Sequence, residues 1–281
     1  MFAVVTDSTA YLTKEQAINS NVTVIPMSYT IASAKFSEHY ADGNADFLSA
    51  INARPAECKT SQPNATAYEA AFKRILDSNL DILVITISSR LSGSFNSAHL
   101  ALNNTLDTTN QNQLQNKVLI FDSHMVAGGQ KMLVDEAVRL SKLGVSINDA
   151  IIKLEQMKNN INVAFSVETM DALRRGGRIG AVKLSIGKLL NVRPILQLKE
   201  GAVIGDKTVR GEVNIIKELA VLVPKTAKKV ILMCVGDTST NKRISILKEH
   251  LIDLDAIVEY QNIGPILSIH LGDGAFGLAW I

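Results

Sequence analysis

Short runs of aliphatic and β-branched residues alternate with helix-like segments through the first half of the chain, and this alternation restricts the fold more than any other feature. The runs are AVVT (3–6), VTVIP (22–26), ILVITIS (82–88) and VLIF (118–121). Each is short enough to be a buried strand. Because amphipathic segments lie between them, the pattern predicts a Rossmann-like α/β layer with a parallel sheet.

Capping residues mark the helices of this layer. Thr13 and Gln16 have the spacing of a capping box, and Asn64 is a good N-cap for the segment ATAYEAAFKRILDS. A further helix is predicted to follow Gly93, and GQKMLVDEAVRLSKLG is predicted to end at Gly144. The segment SINDAIIKLEQMKNN predicts one more helix.

The second half of the chain has a different pattern of predicted strands and helices. It contains a strand (NVAFSV), a Gly-rich turn (RRGGRIG), a short apolar helix (VKLSIGKLL) and a hairpin with Glu200 and Gly201 at its turn. Helix and strand patterns then alternate to a final apolar stretch. We therefore predict two domains, residues 1–162 and 163–281, the second an α/β domain with a mixed or antiparallel sheet. Whether the last strand returns to the first domain is left open.

Charge and cysteine content exclude several classes of function. The chain has 29 Lys and Arg against 27 Asp and Glu, so no sustained basic face is expected and nucleic acid is a poor candidate partner. The N-terminus lacks a secretion signal and no apolar run is long enough to span a bilayer, which predicts a cytoplasmic protein. Cys58 and Cys234 match no metal or redox spacing, and no disulfide or metal site is expected.

A glycine pattern near the C-terminus resembles a nucleotide-binding loop. Gly272, Gly274 and Gly277 have the spacing G-x-G-x-x-G, but only LAWI follows them. The dinucleotide fingerprint needs a helix after the glycines and an acidic residue about 20 positions on. The pattern therefore indicates a turn into a closing strand, and His270 just before it is the residue of chemical interest.

Hydroxyl-rich clusters follow the predicted parallel strands. They are Thr6–Ser8, Ser88–Ser94, Asp122–His124 and, before a helix, Thr60–Asn64. Because ligands bind beyond the carboxyl ends of strands in open α/β sheets, we expect the clusters after the strands to converge. Ser92 and Gly93 open a helix, where free N–H groups favour an anion. This chemistry fits a bound carboxylate or an oxyanion hole beside a nucleophilic serine, and the residues alone do not choose.

Several motifs in order give the chain a family resemblance. TSQPN, SSRLSGSFNSA, FDS, ETMDALRRGGRIG, RPIL and IGPILSIHLGDGAFG span nearly its whole length. In their order and spacing the chain resembles the DegV family, and in particular the fatty-acid-binding (FakB-type) subunits of a bacterial fatty acid kinase. The resemblance implies a two-domain α/β protein that buries a long-chain fatty acid in an apolar tunnel. A separate kinase subunit would phosphorylate the exposed carboxyl group with ATP, for phospholipid synthesis.

The resemblance also implies site residues. The carboxylate-binding set is predicted to be Thr60, Ser61, Ser92, Gly93 and His270, with the loops of residues 1–162 supplying all but the histidine. The arginines of the G-G-R region are predicted to face the kinase or its phosphates, and they are Arg174, Arg175 and Arg178. No catalytic residue is assigned, apart from an assisting role left open for His270. The only ligand expected is the fatty acid, with no cofactor and no stable membrane insertion; transient membrane contact is left open.

The chain departs from the family pattern near the histidine. Leu271 and Asp273 replace a Thr and a Pro, and we expect the Asp273 charge to raise the proton affinity of His270. Asn64 and Arg193 are milder replacements that keep capping ability and charge.

The sequence and the family resemblance are consistent with two alternative functions. The first is a fatty acid carrier that is not itself an enzyme and acts with a kinase. The alternative is a hydrolase or acyltransferase that uses Ser92 with His270. No motif marks the acyl chain preference, the oligomeric state or the identity of the kinase.

Overall fold

The computed structural model describes residues 1–42, 46–107, 117–179 and 192–281. Their strands are, in chain order, β1 (Phe2–Asp7), β2 (Val22–Ile25), β3 (Met27–Ile31), β4 (Ala34–Glu38), β5 (Cys58–Ser61), β6 (Asp81–Thr86), β7 (Val118–Asp122), β8 (Asn162–Ser166), β9 (Val192–Lys199), β10 (Ala202–Arg210), β11 (Lys229–Val235), β12 (Ile257–Ile263) and β13 (Phe276–Trp280). Their α-helices are α1 (Lys14–Ser20), α2 (Phe47–Ala53), α3 (Ala65–Leu76), α4 (Ser94–Asp107), α5 (Gly128–Lys142), α6 (Ile147–Lys158), α7 (Asp171–Gly176), α8 (Glu212–Val221), α9 (Lys242–Glu249) and α10 (Pro265–Leu271).

The chain divides into two compact units that are not continuous in sequence. The first unit contains Met1–Ser28, Ser37–Gly43 and Ser61–Asn160. The second contains Tyr29–Phe36, Asn44–Thr60 and Ile161–Ile281. The predicted single boundary at residue 162 therefore differs from this division, because two early segments group with the C-terminal half.

A parallel sheet organises the first unit. Its strand order is β2-β1-β6-β7, and all three pairings are parallel. Val5 lies opposite Val84, and both side chains are fully buried against Phe72 of α3. The predicted Rossmann-like layer is confirmed.

The predicted caps of this layer are present. The side chain of Thr13 accepts from the Gln16 amide while the Gln16 side chain accepts from the Thr13 amide. Asn64 caps α3 by accepting from the Ala67 amide. Ser146, which was not predicted as a cap, caps α6. These local bonds place the N-terminus of each helix where the sequence predicts it.

A mixed sheet organises the second unit. The strand order is β10-β9-β8-β13-β11-β12, antiparallel except for the β11–β12 pair. The predicted hairpin is confirmed, with its turn at Glu200 (φ 48°) and Gly201 (φ 78°). The last strand, β13, lies inside this sheet between β8 and β11, so it does not return to the first domain.

Several short elements were not predicted. They are the hairpin of β3 and β4, the strand β5, the helix α2 and the helix α10. The region predicted as a turn over RRGGRIG begins in fact as the last turn of helix α7, and Gly177, with φ 69°, follows the helix as its C-cap. The predicted helix VKLSIGKLL lies outside the described residues.

Candidate functional site

Thr60 and His270 form a hydrogen-bonded pair in the second unit. Thr60 is on the short strand β5, and His270 is near the end of α10, which begins with Pro265 at its first turn. The Thr60 Oγ1 and His270 Nε2 atoms are 2.8 Å apart. Two of the predicted site residues, 210 positions apart, are therefore in direct contact.

The other ring nitrogen of His270 fixes the direction of this bond. His270 Nδ1 is buried, with no hydrogen-bond partner among the described residues. A buried N–H without an acceptor is rarer and costlier than an unused lone pair. We therefore assign the proton to Nε2, which donates to Thr60, and the Thr60 hydroxyl hydrogen is then available to another acceptor.

His270 is a weak base at this position. Burial, with a smaller contribution from the positive charge of Arg178, lowers the pKa of His270 to about 4. The prediction that Asp273 raises its proton affinity is wrong. The Asp273 carboxylate instead accepts a 2.9 Å hydrogen bond from the side chain of Asn52.

A cationic pocket opens beside the pair. Its volume is about 460 Å³, and both Thr60 and His270 line it. The charged residues of its lining are Lys59, Arg175 and Arg178, so the pocket favours an anion. Arg174, predicted with the other arginines, is not part of this lining and lies 3.6 Å from the carboxylate of Asp171 on an exposed face.

Gly176 allows the close packing of the histidine. A Cβ atom on Gly176 would lie 2.2 Å from His270 Nδ1, which is well inside contact distance. The glycine at the end of α7 is therefore required for the position of the imidazole ring.

Ser92 and Gly93 lie at the start of α4 in the first unit. The Ser92 Oγ atom accepts a 3.3 Å bond from the Ser94 amide two residues later, which forms a local serine turn just before α4. The side chain of Gln62 occupies the space next to Gly93, since a Cβ there would lie 1.9 Å from Gln62 Oε1. Gln62 also donates to Ser97 Oγ at 2.9 Å. The glutamine of the TSQPN motif is therefore hydrogen-bonded to the first turn of α4. Sequence reasoning missed this role of Gln62.

The hydroxyl clusters at the carboxyl ends of the parallel strands converge within the first unit. Ser94 Oγ donates to Asp7 Oδ2 at 2.7 Å, which joins the first two clusters. The Ser89 amide donates to Asp122 Oδ1 at 3.2 Å, which joins the third. The predicted convergence is confirmed, although several of these groups bond to one another. Ser61, also predicted for the site, is exposed at the end of β5.

Other chemistries find little support in the part of the chain that the structure describes. There, no three His, Cys, Asp or Glu side chains are grouped as a metal site. Cys58 and Cys234 are both free thiols. Among the helices of the same residues, none combines the length and apolarity that crossing a bilayer requires.

Comparison with known proteins gives matches over the whole chain. The family model described as "Uncharacterised protein, DegV family" matches residues 1–281. Protein DegV of Bacillus subtilis is 30% identical over 283 residues, which cover 99% of this chain and 98% of the relative.

Solved structures also match the whole chain. A fatty-acid-binding DegV family protein from Thermus thermophilus has a TM-score of 0.86 and 26% identity, covering 99% of this chain and 98% of its own. A stearic-acid-binding protein from Eubacterium ventriosum has a TM-score of 0.84 and 25% identity, covering 100% of this chain and 98% of its own. The chain thus shares its two-domain α/β architecture with proteins that bind fatty acids.

Proposed function

Because the chain belongs to the DegV family, we propose that it binds a long-chain fatty acid and holds the carboxyl group at the Thr60–His270 pair. The observation that carries this proposal is the 2.8 Å bond between Thr60 Oγ1 and His270 Nε2, two residues that line a cationic pocket. With His270 donating to Thr60, the hydroxyl of Thr60 is oriented to donate to a carboxyl oxygen.

Neutral hydrogen-bond donors suit a carboxylate that must later react. His270, with a pKa of about 4, is uncharged at neutral pH, so it forms no ion pair with the carboxylate. An ion pair would stabilise the oxygen charge and weaken it as a nucleophile. The acyl chain supplies most of the affinity instead, at about 0.8 kcal/mol per buried CH₂.

The protein itself is then a carrier, and a separate ATP-dependent kinase subunit performs the chemistry. In that reaction a carboxylate oxygen attacks the γ-phosphorus of ATP, ADP leaves, and an acyl phosphate forms. Arg175 and Arg178 line the pocket beside the carboxyl site, where they would face the transferred phosphoryl group or the kinase. Arg174 is the weaker candidate for this role, because it lies outside the pocket lining.

Ser92 and Gly93 remain predicted carboxylate ligands, since they lie at a helix start and Ser92 is only half-buried. The hydrolase alternative is disfavoured. A pKa of about 4 makes His270 a poor general base at neutral pH, and its Nδ1 lacks the orienting partner of a triad among the described residues.

Ligand analysis tests the proposal. Mass spectrometry of the freshly purified, undenatured protein should reveal about one fatty acid per chain. Replacing Thr60 by valine keeps the shape and removes the hydroxyl, and should weaken fatty acid binding about tenfold. The matched control is Thr208→Val, the same change on an exposed position of the edge strand β10. Purified protein that contains no fatty acid and also fails to bind added palmitic acid would contradict the proposal.

The kinase step has a separate test. With a fatty acid kinase catalytic subunit and ATP, acyl phosphate can be trapped with hydroxylamine as the hydroxamate. The double variant Arg175→Ala, Arg178→Ala should keep palmitic acid bound and lose most of the hydroxamate signal. Undiminished hydroxamate from this variant would contradict the role of the two arginines.

A further inference from the structure

Asp7 is a completely buried carboxylate at the end of β1, with 0% of its surface exposed. Its Oδ1 atom accepts from the amide and hydroxyl of Thr9 at 3.2 and 2.5 Å and from the Gln130 side chain at 3.1 Å. Its Oδ2 atom accepts from the Ile87 amide at 2.9 Å and from Ser94 Oγ at 2.7 Å. The carboxylate thus joins four separate segments of the first unit.

All five donors are neutral, and this is an unusual environment for a buried acid. Burying a carboxylate is costly unless it is hydrogen-bonded or paired with a cation. Here the five hydrogen bonds offset the free-energy cost of burying the carboxylate. Each bond also restrains the position of the segment that donates it.

The bond to Ser94 extends to a third residue. Tyr68 of α3, also fully buried, has its hydroxyl 2.8 Å from Ser94 Oγ. Since the single hydroxyl hydrogen of Ser94 goes to Asp7, Tyr68 must donate to Ser94. Burial and then the charge of Asp7 raise the pKa of Tyr68 well above its usual value, so it keeps its proton. The result is a chain of donors from Tyr68 through Ser94 to Asp7.

Ser94 is also the residue that orients the predicted anion-binding loop. It is the first residue of α4, and its amide donates to the Ser92 hydroxyl oxygen. The Ser92 amide in turn donates to the Ser88 carbonyl at 3.1 Å. Gly93 lies between two anchored residues, so fixing Ser94 fixes the directions of the groups on both Ser92 and Gly93.

We propose that Asp7 is a positioning residue for fatty acid binding: through Ser94 it holds Ser92 and Gly93 in the arrangement that receives the carboxyl group. This inference rests on the proposed function. Preorganised donors bind an anion more tightly because no ordering cost falls on the binding step. Asp7 itself contacts no ligand in this arrangement.

Selectivity between two ligands distinguishes positioning from general stabilisation. Palmitic acid and hexadecanol share one acyl chain length, and only the acid presents a carboxyl group. The variants are Tyr68→Phe, which removes the end of the donor chain and keeps the ring, and Asp7→Asn. We expect each to lose about tenfold in affinity for palmitic acid and less than about twofold for hexadecanol.

Ser141→Ala is the matched control. Ser141 is buried and bonds to both backbone groups of Phe2 at the opposite end of β1, so its loss also weakens the strand. We expect it to lower stability in urea without changing the ratio of the two affinities. Tyr68→Phe keeps the experiment decisive if Asp7→Asn does not fold.

The outcomes separate this inference from the proposed function. Equal losses for acid and alcohol, unchanged acid affinity, or tighter acid binding in Tyr68→Phe would overturn the role of Asp7. Wild-type protein that binds neither ligand would instead overturn the proposed function itself.

Discussion

Gly176 leaves no room for a side chain beside His270. Its replacement by alanine adds a methyl group 2.2 Å from Nδ1, so the imidazole must turn away and give up its bond to Thr60. Alanine is otherwise favoured over glycine in a helix, by up to about 1 kcal/mol. A loss of fatty acid binding in this variant would therefore come from the steric clash and not from helix propensity. We expect Gly176→Ala to raise the pKa of His270 from about 4 toward 6.5, measured by NMR titration, and to weaken fatty acid binding.

Gly177→Ala is the control for this change. Gly177 has φ 69°, and no heavy atom lies within 4 Å of the point that a Cβ atom would occupy, so alanine there introduces backbone strain without a clash. It should lower stability while leaving the pKa of His270 low. Equal pKa values for His270 in both variants would refute the steric argument.

The buried histidine also makes stability depend on pH. The folded pKa of about 4 lies below the unfolded value near 6.5, so the unfolded chain binds more protons between these values. The stabilisation is complete above about pH 6.5 and decreases as the pH falls toward 4. From pH 7.5 to 5.0 we expect His270 to cost roughly 2 kcal/mol of unfolding free energy.

Urea denaturation at the two pH values measures this cost. His270→Gln keeps a neutral polar side chain and should lose less stability than the wild type over the same interval. The comparison between proteins removes the contributions of the other titrating groups. An identical pH dependence for both proteins would contradict the low pKa of the histidine.

At the scale of the elements, sequence reasoning succeeded where the signal is local. The capping box of Thr13 and the hairpin turn at Glu200 and Gly201 each depend on residues within four positions of one another. The buried strands of the parallel sheet were found because their apolar runs need no partner to be recognised. The site-bearing helix α10 was missed, because PILSIHL is seven residues long and apolar on nearly every side, so it shows no helical period. Only Pro265 at its first turn indicates a helix.

Charged side chains from elements that are distant in sequence hold the turn that follows α10. Arg243 of α9 donates to the Gly274 carbonyl at 2.7 Å and to Glu168 and Glu212 at 3.0 Å each. Arg193 of β9 contacts the same carboxylates, with its nitrogen 3.0 Å from Glu168 and 3.8 Å from Glu212. No sequence pattern connects the four charged residues, since the tertiary fold brings them together.

Arg243→Met is therefore expected to lower the stability of the protein by about 2 kcal/mol. The side chain is only 17% exposed, and its removal leaves a backbone carbonyl and two carboxylates with fewer donors. The exposed pair of Lys207 and Glu218 offers a matched control, and Lys207→Met should cost less than about 0.5 kcal/mol. Urea midpoints compare the two, and similar shifts would show that the cluster is no more than a surface ion pair.

At the scale of the whole molecule, the classes of the parallel sheet and of the six-stranded mixed sheet were predictable, and the grouping of segments was not. Residues 29–36 and 44–60 precede most of the first unit in sequence and belong to the second. Their membership depends on contacts such as Asn52 with Asp273, 221 positions apart, and Leu48 with Gly236. Hydrophobic periodicity depends only on residues that are close in the sequence. It therefore placed the domain boundary near residue 162, where the pattern of predicted strands and helices changes. Thr60, the first residue that the family motif indicates, is at the end of one of these early segments.

The discontinuous division predicts which fragment of the chain can fold. Residues 161–281 alone lack β5 and α2, whose Ile51 is only 5% exposed and whose helix packs on α10. We expect this fragment to give poorly dispersed NMR spectra and a broad urea transition. Residues 29–60 joined to 161–281 through a flexible Gly/Ser linker should give dispersed spectra and a cooperative transition. The pKa of His270 should also be low, because the restored segment contacts the imidazole through Thr60 and buries it again. If the shorter fragment unfolds as cooperatively as the fusion, the early segments are not part of the second folding unit and the site residue Thr60 is only an addition to its surface.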